Sequence, residues 1–317
     1  MFVSYGLPVH HMDPPEEFLT AQAITEVAQA AEDAGFAALN VTDHPFPGTS
    51  WVTHGGHHAL DPLVTLGVAA TVTRSIRLHT NLLILPYRNP FLVAKGLATL
   101  DVISGGRTIV GLGGGYLEPE FAALGIDMEE RNDRFDQSLE ALMLAWTGEP
   151  VTLDGQYFRA PDNVMRPVPL QRPRPPLWIG GNSRRAIRRA VDLADGWSPF
   201  PNPARWSSTT RTAELSNLED LAHALDYARG YAADRGRAEP LTICYVPDGL
   251  VMGSSRFDPV VVRDSIDTLA DLGVDWVAVA LPGATRREQL VQIERFATTV
   301  LERRAASPPG GASAGNP

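Results

Sequence analysis

Residues 76–115, IRLHTNLLILPYRNPFLVAKGLATLDVISGGRTIVGLGGG, contain one complete strand–helix–strand unit. The apolar run that begins near Ile76 predicts a buried strand, and a second such run begins near Arg107. Between them, Pro90–Ile103 has the apolar spacing of a helix and starts with proline, a residue favoured in the first helical turn. Two parallel strands require a crossover connection of this kind. The stretch therefore predicts a βαβ unit.

The same unit recurs along the whole chain. Apolar runs predict strands that begin near Phe2, Ala37, Ile76, Arg107, Leu177, Gly196, Leu241 and Asp275. Amphipathic segments predict helices at Glu16–Gly35, Pro62–Val72, Pro90–Ile103, Arg134–Trp146, Ser183–Ala194, Leu218–Arg235, Val260–Gly273 and Arg286–Arg304. Eight such repeats predict an α/β protein with a (β/α)8 TIM barrel. A doubly wound sheet is the alternative, but it usually has fewer strands and a dinucleotide fingerprint, which residues 110–116 do not complete.

Composition and charge exclude several classes of protein. The 317 residues include 27 basic and 37 acidic side chains, and the net charge of −10 argues against a nucleic-acid-binding protein, which carries a basic face. The single cysteine, Cys244, excludes an intrachain disulfide framework and a zinc site built on several thiolates. Met1–His11 has no signal-peptide pattern, and the longest apolar stretch, Leu63–Val72, is shorter than the ~20 residues of a membrane span. We expect a cytoplasmic protein that binds neither membranes nor nucleic acid.

Two segments depart from the alternation and predict insertions after strands 4 and 6. Glu149–Pro176 contains Val151–Phe158, a hairpin pattern with an Asp-Gly turn, followed by a proline-rich run. Ser198–Asn217 is rich in Pro, Ser and Thr, and long loops at this end of barrel strands usually shape the substrate pocket. We predict one barrel domain over residues 1–306 and a disordered tail over residues 307–317, composed mainly of Pro, Gly, Ala and Ser.

Functional residues of a barrel are found where its strands end. After the second strand, Asp43 supplies a carboxylate and His44 an imidazole that titrates near neutral pH. Alternatively, Asp43 caps a turn and His44 only hydrogen-bonds to the backbone. In the third strand, Thr80 and Asn81 interrupt an apolar run. This pair indicates either a satisfied polar layer inside the barrel or a kink that presents backbone to a flat ligand.

Glycines follow the fourth and fifth strands. Gly113 and Gly114 allow a ligand to approach the backbone, and their N–H groups suit an anion, although a tight turn also explains such a run. After the fifth strand, glycines stand directly before a helix whose N-cap is a polar residue, a pattern typical of a phosphate site. The residues of this second pattern are Gly180, Gly181, Asn182 and Ser183.

Two further clusters have simpler explanations. Arg166–Arg189 contains seven arginines and no acidic residue, which predicts either a basic site for an anionic group or a solvated helix face. His54, His57 and His58 lack the helical spacing and the nearby carboxylate of a metal site, so we predict a mobile loop over the pocket and no bound metal. Cys244 is expected to be a buried strand residue.

Several blocks in a fixed order resemble the luciferase-like monooxygenase superfamily, and more narrowly its probable coenzyme F420-dependent oxidoreductases. The resemblance extends from about Phe2 to Leu301, and each block is weak alone. The blocks are Ala31–Phe36, Asp43-His44, Asp61–Leu63, Leu85–Pro90, Leu100–Arg107, Gly111–Tyr116, Glu120–Gly125, Pro175–Gly181 and Asp195–Trp197.

The resemblance implies a tricyclic ring bound at the C-terminal face of the barrel, with His44 beside it as proton donor or acceptor. Asn81-Leu82 matches a bulge with a non-proline cis peptide bond that supports the ring, although relatives more usually have Thr-Gly at the Thr80-Asn81 pair. Tyr116 stands where some relatives have a catalytic Glu, which argues against sugar-phosphate chemistry. The implied cofactor contacts are Asp43, Asn81, Leu82, Gly113, Gly114, Tyr116, Gly180, Gly181, Asn182 and Ser183.

The predicted function is hydride transfer between the deazaflavin coenzyme F420 and a small organic substrate. The Arg166–Arg189 stretch favours this cofactor, whose polyglutamate tail is anionic. One alternative is the flavin mononucleotide (FMN) branch, in which reduced flavin activates oxygen; a second is a non-catalytic barrel that only binds the cofactor. A metal hydrolase built on the histidine cluster ranks last. The resemblance also implies a possible homodimer.

Overall fold

The computed structural model of the chain describes residues 1–205, 207, 211–247, 250 and 256–302. Eight parallel strands close into a barrel that is surrounded by helices, which confirms the predicted TIM barrel. The predicted disordered tail, residues 307–317, lies outside the described residues, as does part of the loop after the sixth barrel strand.

The barrel strands begin within one residue of the predicted positions. In chain order they are β1 (Phe2–Gly6), β2 (Ala38–Val41), β3 (Arg77–Ile84), β4 (Thr108–Gly113), β7 (Leu177–Gly180), β8 (Gly196–Ser198), β9 (Thr242–Tyr245) and β10 (Trp276–Val279). Each strand pairs with its barrel neighbours in parallel, and β10 closes the barrel on β1. All carboxyl ends therefore lie at one mouth of the barrel.

Eleven α-helices lie among the described residues. They are α1 (Pro15–Phe18), α2 (Ala21–Asp33), α3 (Thr49–Thr53), α4 (Pro62–Val72), α5 (Pro90–Ser104), α6 (Glu118–Ala123), α7 (Arg131–Thr147), α8 (Arg184–Leu193), α9 (Leu218–Asp234), α10 (Pro259–Asp271) and α11 (Arg286–Phe296). Short 3-10 helices span Leu85–Tyr87 and Met128–Glu130, and a π-helical turn, Ala297–Leu301, follows α11. None of the described helices is long and apolar enough to span a membrane.

The segment between β4 and β7 contains a two-stranded antiparallel hairpin. Its strands are β5 (Val151–Asp154) and β6 (Arg159–Asn163). The predicted Asp-Gly turn is wrong, because Asp154 pairs with Arg159 and the turn is formed by Gly155–Phe158. Gln137 of α7 determines this turn, since its Oε1 accepts hydrogen bonds from the N–H groups of Tyr157 at 2.6 Å and Phe158 at 2.9 Å. A contact between distant residues therefore overrides the local turn pattern.

The hydrophobic core has two parts. The larger part lies between the strands and the surrounding helices and includes fully buried leucines such as Leu39, Leu66 and Leu97. The smaller cluster includes Trp178, Trp276 and Cys244, and burial raises the pKa of the Cys244 thiol to about 12. The prediction that Cys244 is a buried strand residue is confirmed.

Candidate active site

The predicted site residues follow the carboxyl ends of four neighbouring strands. Asp43 lies two residues after β2, Asn81 lies in the second half of β3, Gly114 follows β4 and Gly181 follows β7. Because β2, β3, β4 and β7 are consecutive neighbours in the closed barrel, these positions share one rim.

His44 is held by a buried carboxylate that sequence reasoning did not select. The Nδ1 atom of His44, whose exposed fraction is 7%, lies 3.3 Å from Oε2 of Glu120 in α6. Glu120 is fully buried and also accepts hydrogen bonds from the Phe46 N–H at 2.9 Å and the Tyr87 hydroxyl at 2.9 Å. Burial acts to raise the pKa of Glu120, but the hydrogen bonds from His44, Phe46 and Tyr87 outweigh burial and hold that pKa below its ordinary value. The Glu120 side chain is therefore a carboxylate near neutral pH.

Tyr116 faces the other nitrogen of the same imidazole. Its hydroxyl lies 3.4 Å from Nε2 of His44, and its ring meets the His44 ring edge-on. Burial and the nearby Glu120 charge raise the pKa of the Tyr116 phenol above its ordinary value. Glu120, His44 and Tyr116 therefore form a continuous carboxylate–imidazole–phenol series, in which Tyr116 is partly exposed.

The segment after β2 folds over this imidazole. Trp51 of α3 and His57 pack against His44, with ring centroids 4.4 Å and 4.9 Å away. Burial and the neighbouring His44 lower the pKa of His57 to about 4, so this imidazole is neutral at neutral pH. The His57 ring thus belongs to the wall of the site, whereas His54 is exposed and contacts the Ser50 carbonyl at 2.7 Å. Among the described residues, no group of His, Cys, Asp and Glu side chains is arranged to hold a metal ion.

Asp43 connects the ends of β2 and β3. Its carboxylate accepts a two-pronged pair of hydrogen bonds from Arg88, at 2.6 Å and 2.9 Å, and a third from the Ile84 N–H at 2.9 Å. Burial raises the pKa of Asp43, and the Arg88 guanidinium opposes that shift. Both carboxylate oxygens are occupied within the protein and the residue is 2% exposed. The structure thus gives Asp43 an anchoring role, closer to the capping interpretation than to direct contact with a ligand.

The β3 strand changes register at the predicted kink. Thr80 Oγ1 accepts a hydrogen bond from the Gly111 N–H at 3.0 Å and donates one to the Gly111 carbonyl at 2.9 Å, as in a satisfied polar layer. The pairing with β4 then shifts between Thr80 and Leu83, and the Asn81–Leu82 peptide bond is cis. The predicted cis peptide bond is confirmed. Asn81 and Leu82 are both partly exposed at the mouth.

Gly180 and Gly113, two of the glycines predicted to contact the cofactor, leave room for the Leu82 side chain. A Cβ at Gly180 would lie 1.9 Å from Cδ1 of Leu82, and a Cβ at Gly113 would lie 2.9 Å from Ile84 and 3.3 Å from Leu82. Contacts that short require the glycines. Around Gly114, by contrast, a Cβ would meet no atom within 4 Å, so its backbone borders open space. Of these three glycines, only Gly114 borders open space.

The residues that follow β7 hold the neighbouring loop. The Asn182 amide donates to the Phe200 carbonyl at 2.9 Å and the Ala213 carbonyl at 3.2 Å, and its oxygen accepts from the Phe200 N–H at 3.0 Å. Ser183 is the N-cap of α8, as predicted, and accepts the Ala186 N–H at 3.2 Å. Gly181 has φ +112°. The Asn182 side chain is thus fully engaged in fixing the loop.

The arginine-rich stretch does not present seven free charges. Arg174 pairs with Asp195, Arg185 pairs with Asp133 and Asp136, and Arg189 pairs with Asp136. Much of the charge that favoured an anionic cofactor in the sequence is therefore neutralised by carboxylates that are distant in the chain. The stretch therefore offers less unpaired positive charge to an anionic group than its sequence indicates.

Several known proteins are similar to this chain in sequence. A family model described as luciferase-like monooxygenase matches residues 1–246. An uncharacterised protein of Mycobacterium tuberculosis is 28% identical over 295 residues, which cover 88% of this chain and 95% of that protein. The F420-dependent glucose-6-phosphate dehydrogenase of Beutenbergia cavernae is 37% identical over 174 residues, 53% of this chain and 49% of that protein. The FMNH2-dependent dimethylsulfone monooxygenase of Pseudomonas putida is 29% identical over 225 residues, 70% of this chain and 52% of that protein.

Solved structures share the fold. The monooxygenase RslO1 from Streptomyces bottropensis superimposes with a TM-score of 0.78 at 23% identity, covering 96% of this chain and all of that one (100%). The coenzyme F420-dependent tetrahydromethanopterin reductase from Methanopyrus kandleri gives a TM-score of 0.71 at 18% identity, covering 95% of this chain and 98% of that one. At these identities the likeness concerns the barrel.

Proposed function

This chain belongs to the luciferase-like monooxygenase family, and from that premise we propose that it is an F420-dependent oxidoreductase that transfers a hydride between the deazaflavin and a small organic substrate. Relatives named as F420-dependent dehydrogenases support the cofactor. The glucose-6-phosphate dehydrogenase match covers only about half of that relative, 49%, so its sugar-phosphate substrate is not carried over.

The observation that carries the proposal is the shape of the barrel mouth beside His44. The cis bond places Leu82 against Gly180 and Gly113, while the Gly114 backbone borders open space where a Cβ would meet no protein atom within 4 Å. A flat tricyclic ring needs such a close approach to backbone. We assign ring contacts to Asn81, Leu82 and Gly114.

The remaining predicted contacts receive narrower roles. The Ser183 hydroxyl at the start of α8 is proposed to meet the phosphate, because a helix N-terminus favours an anion. Gly181 is proposed only to give the phosphate access to this end of the helix, since its N–H donates to the Ser198 carbonyl at 3.3 Å and its carbonyl accepts from the Trp197 indole at 2.8 Å. Asn182 and Asp43 act indirectly, since their polar atoms are bonded to the loop and to Arg88. The bound deazaflavin would supply hydride chemistry, and the chain would hold the ring and move the accompanying proton through His44.

The second candidate is an FMN-dependent monooxygenase. The named FMNH2-dependent relative covers 70% of this chain, a larger share than the F420-dependent glucose-6-phosphate dehydrogenase at 53%. In that reaction reduced flavin activates oxygen, so the two functions differ in cofactor and in the need for oxygen. They can be separated by direct assay.

The assay uses purified protein with oxidised F420 and a panel of primary and secondary alcohols and aldehydes, without oxygen. We expect at least one compound to bleach the visible absorbance of the cofactor. His44→Ala should lower kcat by roughly 10²–10⁴-fold, the usual contribution of a general acid or base. His58→Ala, in the exposed part of the same loop, is the matched control and should keep full activity.

A parallel arm supplies reduced FMN and oxygen with the same compounds. Oxygen consumption that yields an oxygenated product, with no compound reducing F420, would contradict the proposal in favour of the second candidate. Unchanged turnover in the folded His44→Ala protein would exclude the proton-transfer role of that residue.

A further inference from the structure

The Glu120–His44–Tyr116 series fixes which atom of His44 carries a proton. Glu120 is a carboxylate near neutral pH and can only accept a hydrogen bond, so the Nδ1 atom that faces it at 3.3 Å must carry the imidazole proton. In the neutral form of the imidazole, Nε2 is then an acceptor. The Tyr116 hydroxyl, 3.4 Å away, donates to it.

On the Nε2 side of His44, the neighbouring polar group is the partly exposed Tyr116. His44 is 7% exposed and is covered by the rings of Trp51 and His57. Its free lone pair on Nε2 faces the Tyr116 oxygen, and Tyr116 is partly exposed and directly follows the Gly113–Gly115 run at the rim. A substrate at the mouth therefore meets the phenol before the imidazole.

We infer that Glu120, His44 and Tyr116 form a proton relay whose outer end is Tyr116, so that the phenol is the catalytic residue that exchanges a proton with the substrate and Glu120 is a positioning residue. The inference deepens the proposed function and rests on it for the identity of the reaction. It assigns to Tyr116 a role different from a passive cofactor contact.

The relay balances for oxidation of an alcohol. The substrate O–H bond breaks as its proton moves to the Tyr116 oxygen, and the original Tyr116 proton moves to Nε2 of His44. A bound oxidised deazaflavin would accept the hydride from the substrate carbon whose C–H bond breaks, which would leave a carbonyl product. The resulting imidazolium lies beside the Glu120 carboxylate, which stabilises its charge. After the product leaves, the proton returns through Tyr116 to water; reduction uses the reverse order.

The test that needs no cofactor is ¹⁵N NMR of histidine-labelled apoprotein, with the His44 signals identified by their loss in His44→Gln. We expect the wild-type tautomer with the proton on Nδ1. Tyr116→Phe should keep that tautomer but shift the Nε2 resonance, because the donor to its lone pair is removed. This variant deletes one oxygen at a partly exposed position, so it is expected to fold.

Glu120→Gln provides the sharper change. Its oxygen can still accept the Phe46 N–H, while its amide N–H group replaces the atom that faces His44 and Tyr87. An amide donor forces Nδ1 to accept, so the proton should move to Nε2. Glu118→Gln is the matched control in the same helix; Glu118 pairs with Arg211 at the surface, and its loss should leave the His44 spectrum unchanged.

The kinetic arm uses the compound that reduces F420 in the panel. Tyr116→Phe should lower kcat by roughly 10²–10⁴-fold while the Kd for F420 stays unchanged. A wild-type proton on Nε2, an Nε2 signal unaffected by Tyr116→Phe, or full turnover in that variant would each overturn the relay. If no compound reacts, the proposed function fails and the substrate contact of Tyr116 fails with it, while the NMR result still decides the hydrogen-bond series.

Discussion

At the scale of single residues, Asp43 is a buried carboxylate whose hydrogen bonds are all made within the protein. Its carboxylate is 2% exposed and depends on Arg88 and the Ile84 N–H for its hydrogen bonds. His44 is the next residue in the chain, so the hydrogen bonds that hold Asp43 also restrict the position of the His44 backbone. Asp43 and Arg88 therefore help to position His44, the central residue of the proposed relay, at the end of β2.

Arg88→Met should be strongly destabilising, because it leaves the Asp43 charge buried and unpaired. We expect a loss of about 3–5 kcal/mol in the free energy of unfolding at neutral pH, measured by urea denaturation. Arg159→Met removes the exposed partner of Asp154 and should cost less than about 1 kcal/mol, which makes it the matched control.

The loss of unfolding free energy in Arg88→Met should depend on pH in a definite direction. Burial already raises the pKa of Asp43, and removing Arg88 takes away a group that opposes the shift. A carboxyl whose folded pKa is raised is destabilising when ionised, and the penalty is relieved as pH falls and the group protonates. The difference in unfolding free energy between wild type and Arg88→Met should therefore narrow as the pH falls below neutral; a difference that widens would contradict this account of Asp43.

At the scale of elements, the bulge in β3 explains one glycine in the adjacent strand β4 and one in β7, the next strand beyond it. The Leu82 side chain lies where a Cβ of Gly180 would be, with 1.9 Å between Cβ and Cδ1. Gly180→Ala should cost about 1–3 kcal/mol through overpacking. In the Leu82→Ala background the same substitution should cost clearly less, which a double-mutant cycle of unfolding free energies measures.

Gly114→Ala is the control for that cycle, since its Cβ would meet no protein atom within 4 Å. It should change the free energy of unfolding little in either background. If the changes in unfolding free energy for Gly180→Ala and Leu82→Ala instead add independently, Gly180 is not required to make room for Leu82. The interpretation of Gly180 as a phosphate contact would then be favoured.

The elements also show what a sequence can predict. The barrel strands and long helices repeat a strong apolar pattern, which makes them predictable from the sequence. The starts of the barrel strands are predicted to within one residue. The short helices α3 and α6 have only 5 and 6 residues, too few to establish a helical period, and both were missed. α6 carries Glu120, so the missed element contains the buried carboxylate of the site.

Partners brought together by folding account for the other omissions. Glu120 lies 76 residues from His44, and Arg88 lies 45 residues from Asp43. A single residue can be selected from the sequence only when it stands in a local motif, as Asp43 and His44 do at a strand end. Glu120 and Arg88 stand in no such motif for this site. For the Arg166–Arg189 stretch, the sequence indicated more free positive charge than the structure has. Three of its arginines are neutralised by Asp133, Asp136 and Asp195, which lie outside the stretch.

At the scale of the whole molecule, the central claim is that the C-terminal mouth of the barrel binds F420 in preference to FMN. The family contains proteins named for either cofactor, and the ion pairs within the arginine-rich stretch remove part of the electrostatic reason for choosing. The open backbone at Gly114 provides a position where ligand binding can be blocked without disturbing protein packing.

The most direct measurement is a fluorescence titration of the apoprotein with F420 and with FMN, repeated for Gly114→Val and for Gly230→Val. Gly230 is an exposed position in α9 where a Cβ would likewise meet nothing within 4 Å, so its variant is the matched control. We predict saturable F420 binding that is tighter than FMN binding, at least ~10-fold weaker in Gly114→Val, or about 1.4 kcal/mol, and unchanged in Gly230→Val. Tighter binding of FMN, or F420 binding that Gly114→Val leaves intact, would contradict the account.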